Sequence, residues 1–261
     1  MLFQQCNCGD AVRFIDSELM LVFVIVLLTA LGVSIQPSNE KDLRKDLANP
    51  VSYNQILTSD FTMHQNTDPF NRSQEIWNLQ GKFYSLLDEY VIVHYTTMPL
   101  IFQPMDDENR NQFKTGNFEY RGYITSKKQG DWVFAVGPDI RMFNSGGLAV
   151  VVIYQPSIFT VGGEGVQIWG EDINQTEVKP IVSLRLGRKT TIGMLDTITV
   201  KWLEEKENRW TIPVGLEVGQ LFRAQDHLPV NVSFGAFSNV VRPDNASDWY
   251  WRLKVDLGIS M

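Results

Sequence analysis

Hydrophobic and polar residues alternate almost without fault along the last thirteen residues of the chain, 249 to 261. Successive side chains of a β-strand point to opposite faces, so this pattern predicts a strand with one apolar and one polar face. At about 3.3 Å per residue the strand would reach roughly 43 Å, enough to cross a bilayer at a tilt of about 40°. The apolar positions are Trp249, Trp251, Leu253, Val255, Leu257, Ile259 and Met261.

The same period of two recurs along most of the chain after residue 50. The predicted strands are 51–63, 75–86, 90–102, 116–127, 131–141, 148–154, 159–169, 177–187, 191–203, 210–223, 230–240 and 249–261. Segment 159–169 changes phase around Gly162, Gly163 and Gly165, which predicts a β-bulge there. About 12 strands are therefore expected.

Connections between these segments alternate in length. The short ones are 87–89, 128–130, 155–158, 188–190 and 224–229, and the longer ones are 66–74, 103–115, 142–147, 170–176, 204–209 and 243–248. Outer-membrane barrels have short periplasmic turns and longer external loops, whereas a soluble β-sandwich has no reason to keep this alternation. The sequence predicts an all-β, antiparallel transmembrane β-barrel in the bacterial outer membrane, with a soluble secreted sandwich as the less favoured alternative.

A continuous apolar run, LMLVFVIVLLTALGV at residues 19–33, precedes the alternating region. Its length and the small residues at its end predict a signal-peptide core, and a single N-terminal membrane anchor is the alternative. We divide the chain into a signal peptide or N-terminal apolar segment (1–36), a polar lead-in (37–50) and an outer-membrane barrel (51–261). Cys6 and Cys8 fall in the first part, so the expected mature chain has no disulfide.

Composition narrows the possible partners and chemistry. A net charge of −7 without a basic segment argues against a nucleic-acid partner. A mean hydropathy of −0.13 fits a transmembrane barrel, which needs apolar residues only at alternate positions. His64, His94 and His227 cannot be grouped with a serine and a carboxylate from their spacing. We therefore expect neither an enzyme nor a cofactor.

Residues 209–249 read RWTIPVGLEVGQLFRAQDHLPVNVSFGAFSNVVRPDNASDW. This segment resembles the final part of a bacterial outer-membrane barrel family, whose pattern runs RW-T-x-P-x-G-x-x-x-G, PVN, NVVRPD and DW. The family's members are named as transporters of the meta-pathway of phenol degradation, and some carry the misleading label neuromedin U. Blocks at 49–51, 99–104 and 136–138 fit the family in the right order, so the resemblance covers roughly 49–261. It implies passage of small solutes, hydrophobic or aromatic by the family's name.

Three positions depart from the family pattern. Residues 115–118 replace an expected Gly-Leu-Gly-Asp-like stretch, and Tyr95 stands where relatives carry an inward arginine. Met261 replaces the terminal aromatic residue that is common in barrel-insertion signals. The family's solute specificity and the efficiency of assembly therefore do not transfer directly to this chain.

In a barrel, the polar face of each strand lines the lumen. The expected pore-lining residues are Arg252, Lys254, Asp256, Glu217, Arg223, Arg185, Lys179 and Lys201. Opposed charges bias ion passage in an open pore but pair and fill a small closed barrel. The leading hypothesis is a channel that passes small solutes by passive diffusion, and the alternative is a non-conducting structural or adhesive barrel. Expected partners are outer-membrane lipid, the barrel-assembly machinery and small-molecule solutes.

Overall fold

The computed structural model describes residues 45, 47–67, 72–104, 111–142, 145–187, 189–194, 196–224, 228–244 and 246–259. The predicted segment 1–36 lies outside these residues, as do most of the lead-in 37–50, His227 and Met261. Among the described residues, no helix is both long and apolar enough to cross a bilayer.

Antiparallel β-structure dominates the described chain. The segments are β1 (Gln55–Thr67), β2 (Arg72–Leu86), β3 (Tyr90–Pro104), β4 (Asn111–Thr115), β5 (Glu119–Ser126), β6 (Trp132–Arg141), β7 (Ser145–Tyr154), β8 (Phe159–Gly170), β9 (Asn174–Leu186), β10 (Thr190–Met194), β11 (Ile198–Lys201), β12 (Trp210–Ala224), β13 (Leu228–Val241) and β14 (Trp249–Ile259). A single turn of 3₁₀ helix, Lys206–Asn208, precedes β12.

The pairing of these segments closes the sheet on itself. Segment β1 pairs with β2 on one side and with β14 on the other, and β14 continues through β13 to β12. Segments β4 and β5 pair with β3 as two halves of one strand, and β10 and β11 lie between β9 and β12 as two halves of another. The fourteen segments thus form a closed 12-stranded antiparallel barrel, which confirms the predicted fold class.

Alternation along β12 shows how the sequence separates lipid from lumen. Val214, Leu216 and Val218 are 44%, 52% and 50% exposed, whereas Gly219 and Leu221 on the other face are buried. A broad apolar exterior of this kind is incompatible with water and suits the hydrocarbon of a bilayer. The predicted lipid-facing and inward-facing sides of β12 are therefore confirmed.

The predicted bulge in 159–169 is wrong. Segment β8 pairs with β7 and β9 without a shift of register over its whole length. Phe159 and Val161 face outward, and Val166 and Ile168 face inward into an apolar cluster. The apparent change of phase in the sequence arises because both faces of this strand are apolar, one against lipid and one against the barrel core.

Four of the six longer connections are shorter than predicted, and two of these are 68–71, between β1 and β2, and 105–110, between β3 and β4. Only residues 142–144 join β6 to β7, and only 171–173 join β8 to β9. Backbone pairing continues through polar and glycine residues at these strand ends, such as Ser145–Gly170 and Trp169–Asn174. The longest connections are 202–209 and 242–248, both at the end of the barrel opposite the short turns.

The first strand begins at Gln55, four residues later than predicted. Residues 47–54, called here the inserted segment, pack inside the short-turn end of the barrel. Val51 has no exposed surface and belongs to the same apolar cluster as Val91 and Val93 of β3. The boundary between lead-in and barrel at residue 50 therefore falls inside a segment that packs as one unit.

Candidate functional site in the barrel lumen

A cavity of about 590 Å³ occupies the barrel interior. Its wall carries polar side chains from most strands, including Thr58, Asn78 and Thr97, and its short-turn end is bounded by Leu47 and Pro50 of the inserted segment. Five of the eight predicted pore-lining residues lie on this wall: Lys179, Glu217, Arg252, Lys254 and Asp256. Their role in conduction stays a prediction.

Arg252 is the centre of the first charged group of the lumen. Its guanidinium donates to Asp196 Oδ2 at 2.7 Å and to Glu217 Oε2 at 2.9 Å. Lys254 Nζ reaches the other oxygen of Glu217 at 3.2 Å, and the Tyr250 hydroxyl donates to Asp196 at 2.7 Å. Because successive side chains of a strand point to opposite faces, Tyr250, Arg252 and Lys254 lie on the same face of β14. Asp196 comes from the connection between β10 and β11.

Asp256 lies deeper in the lumen, near the short-turn end. Its carboxylate accepts hydrogen bonds from Thr58 Oγ1 at 2.7 Å and from Asn231 Nδ2 at 3.1 Å. These donors come from β1 and β13, the two neighbours of β14. Asp256 therefore links β14, the last strand, to both of its neighbours in the barrel, β1 and β13.

A second charged group, which the sequence analysis missed, faces the first from β5, β6, β8 and β9. Arg121 donates to Asp139 Oδ2 and to Glu164 Oε1, both at 2.5 Å. Tyr123 donates to the same oxygen of Glu164 at 2.5 Å. Tyr95, which stands where the family has an inward arginine, faces the lumen as the register partner of Arg121.

Arg141 extends this second group toward the long-loop end. It donates to Asp139 Oδ1 at 3.1 Å and to Glu177 Oε1 at 2.9 Å, and lies 3.5 Å from Glu119 Oε1. Charged residues two positions apart occur on β5 (Glu119 and Arg121) and on β6 (Asp139 and Arg141). This spacing could have predicted which face of each strand points into the lumen. It was missed because apolar residues share that face farther along the same strands.

Three predicted residues lie elsewhere. Arg185 is buried and binds the connection between β7 and β8 and the first residue of β8, donating to the carbonyl oxygens of Pro156 at 2.6 Å and Phe159 at 2.9 Å. Lys201 lines a smaller cavity of about 270 Å³ near the long-loop end. Arg223 is exposed near the end of β12.

Hydrogen bonds hold the inserted segment in the short-turn end. Asn49 Nδ2 donates to Gln155 Oε1 at 3.2 Å, and Gln129 Nε2 donates to the Val51 carbonyl at 2.9 Å. The Tyr53 hydroxyl donates to the carbonyl of Ser126, and burial raises the pKa of Tyr53. Polar side chains from two short turns therefore fix the segment.

Two histidines contact serines across neighbouring elements. His94 lies 3.1 Å from Ser85 Oγ and 2.8 Å from the Tyr120 hydroxyl, and His64 lies 3.0 Å from Ser247 Oγ. Among the described residues, neither imidazole has a hydrogen bond to a carboxylate, which a Ser-His-Asp arrangement requires. The described part of the chain also contains no group of three or more metal-binding side chains.

No family model matches the chain, and no curated protein matches its sequence. The barrel is similar in structure to the COG4313 outer membrane channel from Pseudomonas putida F1, with a TM-score of 0.57, 8% identity, and coverage of 79% of this chain and 96% of that chain. Outer membrane phospholipase A from Escherichia coli (TM-score 0.41, 13% identity, 81% and 97% covered) and a mutant Rh. blastica porin (0.33, 8%, 80% and 99%) are too distant to support an argument.

The fold is therefore that of an outer-membrane β-barrel, as the sequence predicts. At 8% identity the likeness to the channel shows the fold alone. The named link to phenol degradation, the solute and the absence of enzymatic activity stay predictions.

Proposed function

We propose that this protein is a channel of the bacterial outer membrane that small solutes cross by passive diffusion. The observation that carries the proposal is a cavity of about 590 Å³, with a polar and charged wall, inside a closed barrel whose exterior is apolar. A barrel with only a structural role could fill this volume with packed side chains. The channel fold of the Pseudomonas putida protein supports the same function.

The charges on the cavity wall do not favour one sign of solute charge, so small cations, small anions and uncharged solutes are all expected to enter. Opposite charges are nearly balanced, and Arg121, Arg252 and Lys254 are each paired with a carboxylate, so the lumen provides no long path of a single sign. The acidic residues on the wall are Asp60, Glu119, Glu164, Glu177, Glu217 and Asp256, and the basic ones are Lys82, Arg121, Lys179, Arg252 and Lys254. We therefore expect weak ion selectivity. Hydrophobic or aromatic solutes are suggested by the family resemblance.

A non-conducting structural or adhesive barrel is the second candidate. The inserted segment occupies the short-turn end, and Arg252 and Arg121 each bind carboxylates from other strands. These contacts would favour a closed resting lumen.

Conductance of the purified protein in planar lipid bilayers separates the two functions. We expect discrete current steps of one small size, whereas a correctly folded protein that stays silent would contradict the channel. Folding is checked independently by heat-modifiable migration on gels, which reports a closed barrel. A control with detergent buffer but no protein excludes current steps that the detergent itself causes.

A further inference from the structure

The long-loop end of the barrel is filled over β13, β14 and β1. There the connection 242–248 meets the inward-facing His64, which lies 3.0 Å from Ser247 Oγ. The His64 ring lies against Tyr250, and Tyr250 stacks on Phe237 with ring centroids 5.1 Å apart. Ser247, Tyr250 and Phe237 are all buried. Packed side chains therefore close this half of the long-loop end.

The cavity of about 270 Å³ occupies the other half of this end and is called here the outer vestibule. Side chains from the connections 116–118, 171–173 and 202–209 line it, together with residues at the long-loop ends of β5, β6, β7, β9 and β11. Glu119 lines both the outer vestibule and the larger cavity deeper in the barrel. The outer vestibule therefore adjoins the lumen on the side that the connection 242–248 leaves uncovered.

One part of the vestibule wall is apolar. Ile173 lines the cavity and packs against the apolar cluster of the barrel interior, so its position is fixed by the core. Leu203, in the connection before β12, lines the same cavity and is 63% exposed. A hydrophobic group bound beside these two side chains would remove apolar surface from water, which is favourable. This part of the wall therefore suits a small apolar group.

Three charged side chains of the vestibule are free to bind a solute. Lys201 ends β11, Asp172 lies between β8 and β9, and Glu204 lies in the connection before β12. Within the described part of the chain, none of the three has an ion-pair partner. Arg141 differs, because Asp139 and Glu177 already accept its hydrogen bonds. The vestibule therefore offers unpaired charges of both signs.

A buried hydroxyl on the same wall also lacks a partner. Ser145, the first residue of β7, is 8% exposed, and its Oγ has no hydrogen-bond partner among the described residues. Burying a hydroxyl without a hydrogen bond is unfavourable, so its partner is expected from within the cavity. The amide of Asn117 provides a second neutral polar group on this wall. Both groups indicate that the vestibule accommodates a polar ligand.

We propose that the outer vestibule binds small zwitterions with an apolar side chain, of the kind that free amino acids represent. Resting on the channel function proposed above, the inference adds an entry side and a class of solute. Lys201 binds the solute carboxylate, and Asp172 and Glu204 bind its ammonium group. Ile173 and Leu203 contact its apolar side chain. Two carboxylates repel a simple anion and Lys201 repels a simple cation, so a solute that carries both charges is preferred.

Three probes of similar size test the class of solute. L-Leucine carries both charges, 4-methylpentanoate lacks the ammonium group, and 3-methylbutylamine lacks the carboxylate. Titration calorimetry measures their binding to the purified protein in a non-ionic detergent, with titration into micelles alone as the blank. We expect L-leucine to bind at least about tenfold more tightly than either analogue, because only L-leucine forms charge-assisted contacts at both ends. Equal affinities for the three probes would overturn the proposal.

Charge-neutralising variants test the named residues. Lys201→Gln should weaken L-leucine binding about tenfold without weakening that of 3-methylbutylamine, which has no carboxylate for Lys201 to bind. Asp172→Asn combined with Glu204→Gln should weaken L-leucine binding to a similar extent without weakening that of 4-methylpentanoate. Lys206→Gln and Glu207→Gln, in the 3₁₀ turn outside the vestibule, are the matched controls. An equal loss in these controls would remove the three vestibule charges from the site. Heat-modifiable gel migration verifies that each variant folds.

Single-channel recording separates this binding site from the channel function. L-Leucine added on the long-loop side should interrupt the current, and Lys201→Gln should shorten these interruptions about tenfold, because a weaker site releases its ligand faster. An unsubstituted protein that conducts but does not bind L-leucine would overturn the vestibule site alone. A protein that binds L-leucine but stays silent in the bilayer would support the vestibule site and contradict the channel.

Discussion

The two sides of this barrel are filled in opposite ways. Along β5 to β8, the inward face carries the second charged group around Arg121 and, beside it, an apolar core in which Tyr123, Val151 and Ile153 have no exposed surface; Val51 of the inserted segment completes this core. Around β9 to β14, the inward face is polar and borders the cavity, and one strand is interrupted. The packed side supports the wall, while the hollow side contains the cavity that the proposed channel function would use.

The difference shows how a barrel of this size can be both stable and hollow. Twelve strands enclose more volume than short side chains fill, so an entirely polar lumen would rely on ion pairs alone. Packing one side densely leaves a cavity on the other, where unpaired backbone and charges can be solvated.

The largest expected effect comes from charging the packed side. Val151→Asp places a carboxylate in the apolar cluster and opposite the Glu164 carboxylate of β8, which costs about 3–5 kcal/mol and should abolish folding or lower the unfolding temperature strongly. Thr191→Asp, on the cavity wall, is the matched change on the hollow side. Heat-modifiable gel migration measures both; equal losses would show that the two sides do not differ.

Charging the inserted segment should open the barrel and leave it folded. Val51→Asp puts the same group into the same cluster, but its chain segment can leave the lumen because it lies before the first strand. We expect single-channel conductance to rise about twofold or more with an unchanged gel shift. Val51→Ile is the control. A loss of folding equal to that of Val151→Asp would mean that the segment is part of the core and cannot be released.

The hollow side was the more predictable of the two. Alternation along β12 and β14 assigned Glu217, Arg252, Lys254 and Asp256 to one face because lipid and lumen there demand opposite chemistry. On β8, Val161 faces outward and Val166 inward, so hydropathy could not fix the phase. The inserted segment and Asp196 depend on contacts such as Asn49–Gln155 and Tyr250–Asp196, which join residues 106 and 54 positions apart and which no local pattern encodes.

A smaller effect is expected from neutralising the basic residues of β14. Arg252→Gln and Lys254→Gln together remove two positive charges from the hollow side while keeping hydrogen-bond donors for Asp196 and Glu217. The permeability ratio of potassium to chloride should rise about twofold because unpaired carboxylates then face the lumen. Reversal potentials in a salt gradient measure it. Lys206→Gln in the connection before β12 is the control, and an unchanged ratio in the β14 double variant would remove Arg252 and Lys254 from the solute path.

The smallest effect concerns alkaline pH and the inserted segment. Burial raises the pKa of Tyr53 above its ordinary value of 10.0, so the folded state holds the phenol proton more tightly than the released segment does. The resulting stabilisation is complete below about pH 10 and is lost as the pH rises through the raised pKa. We therefore expect conductance to increase above about pH 10, where the ionised oxygen can no longer donate to the Ser126 carbonyl. Tyr53→Phe should remove this pH dependence and release the segment slightly at neutral pH, and the same alkaline rise in Tyr53→Phe would assign the effect to another group.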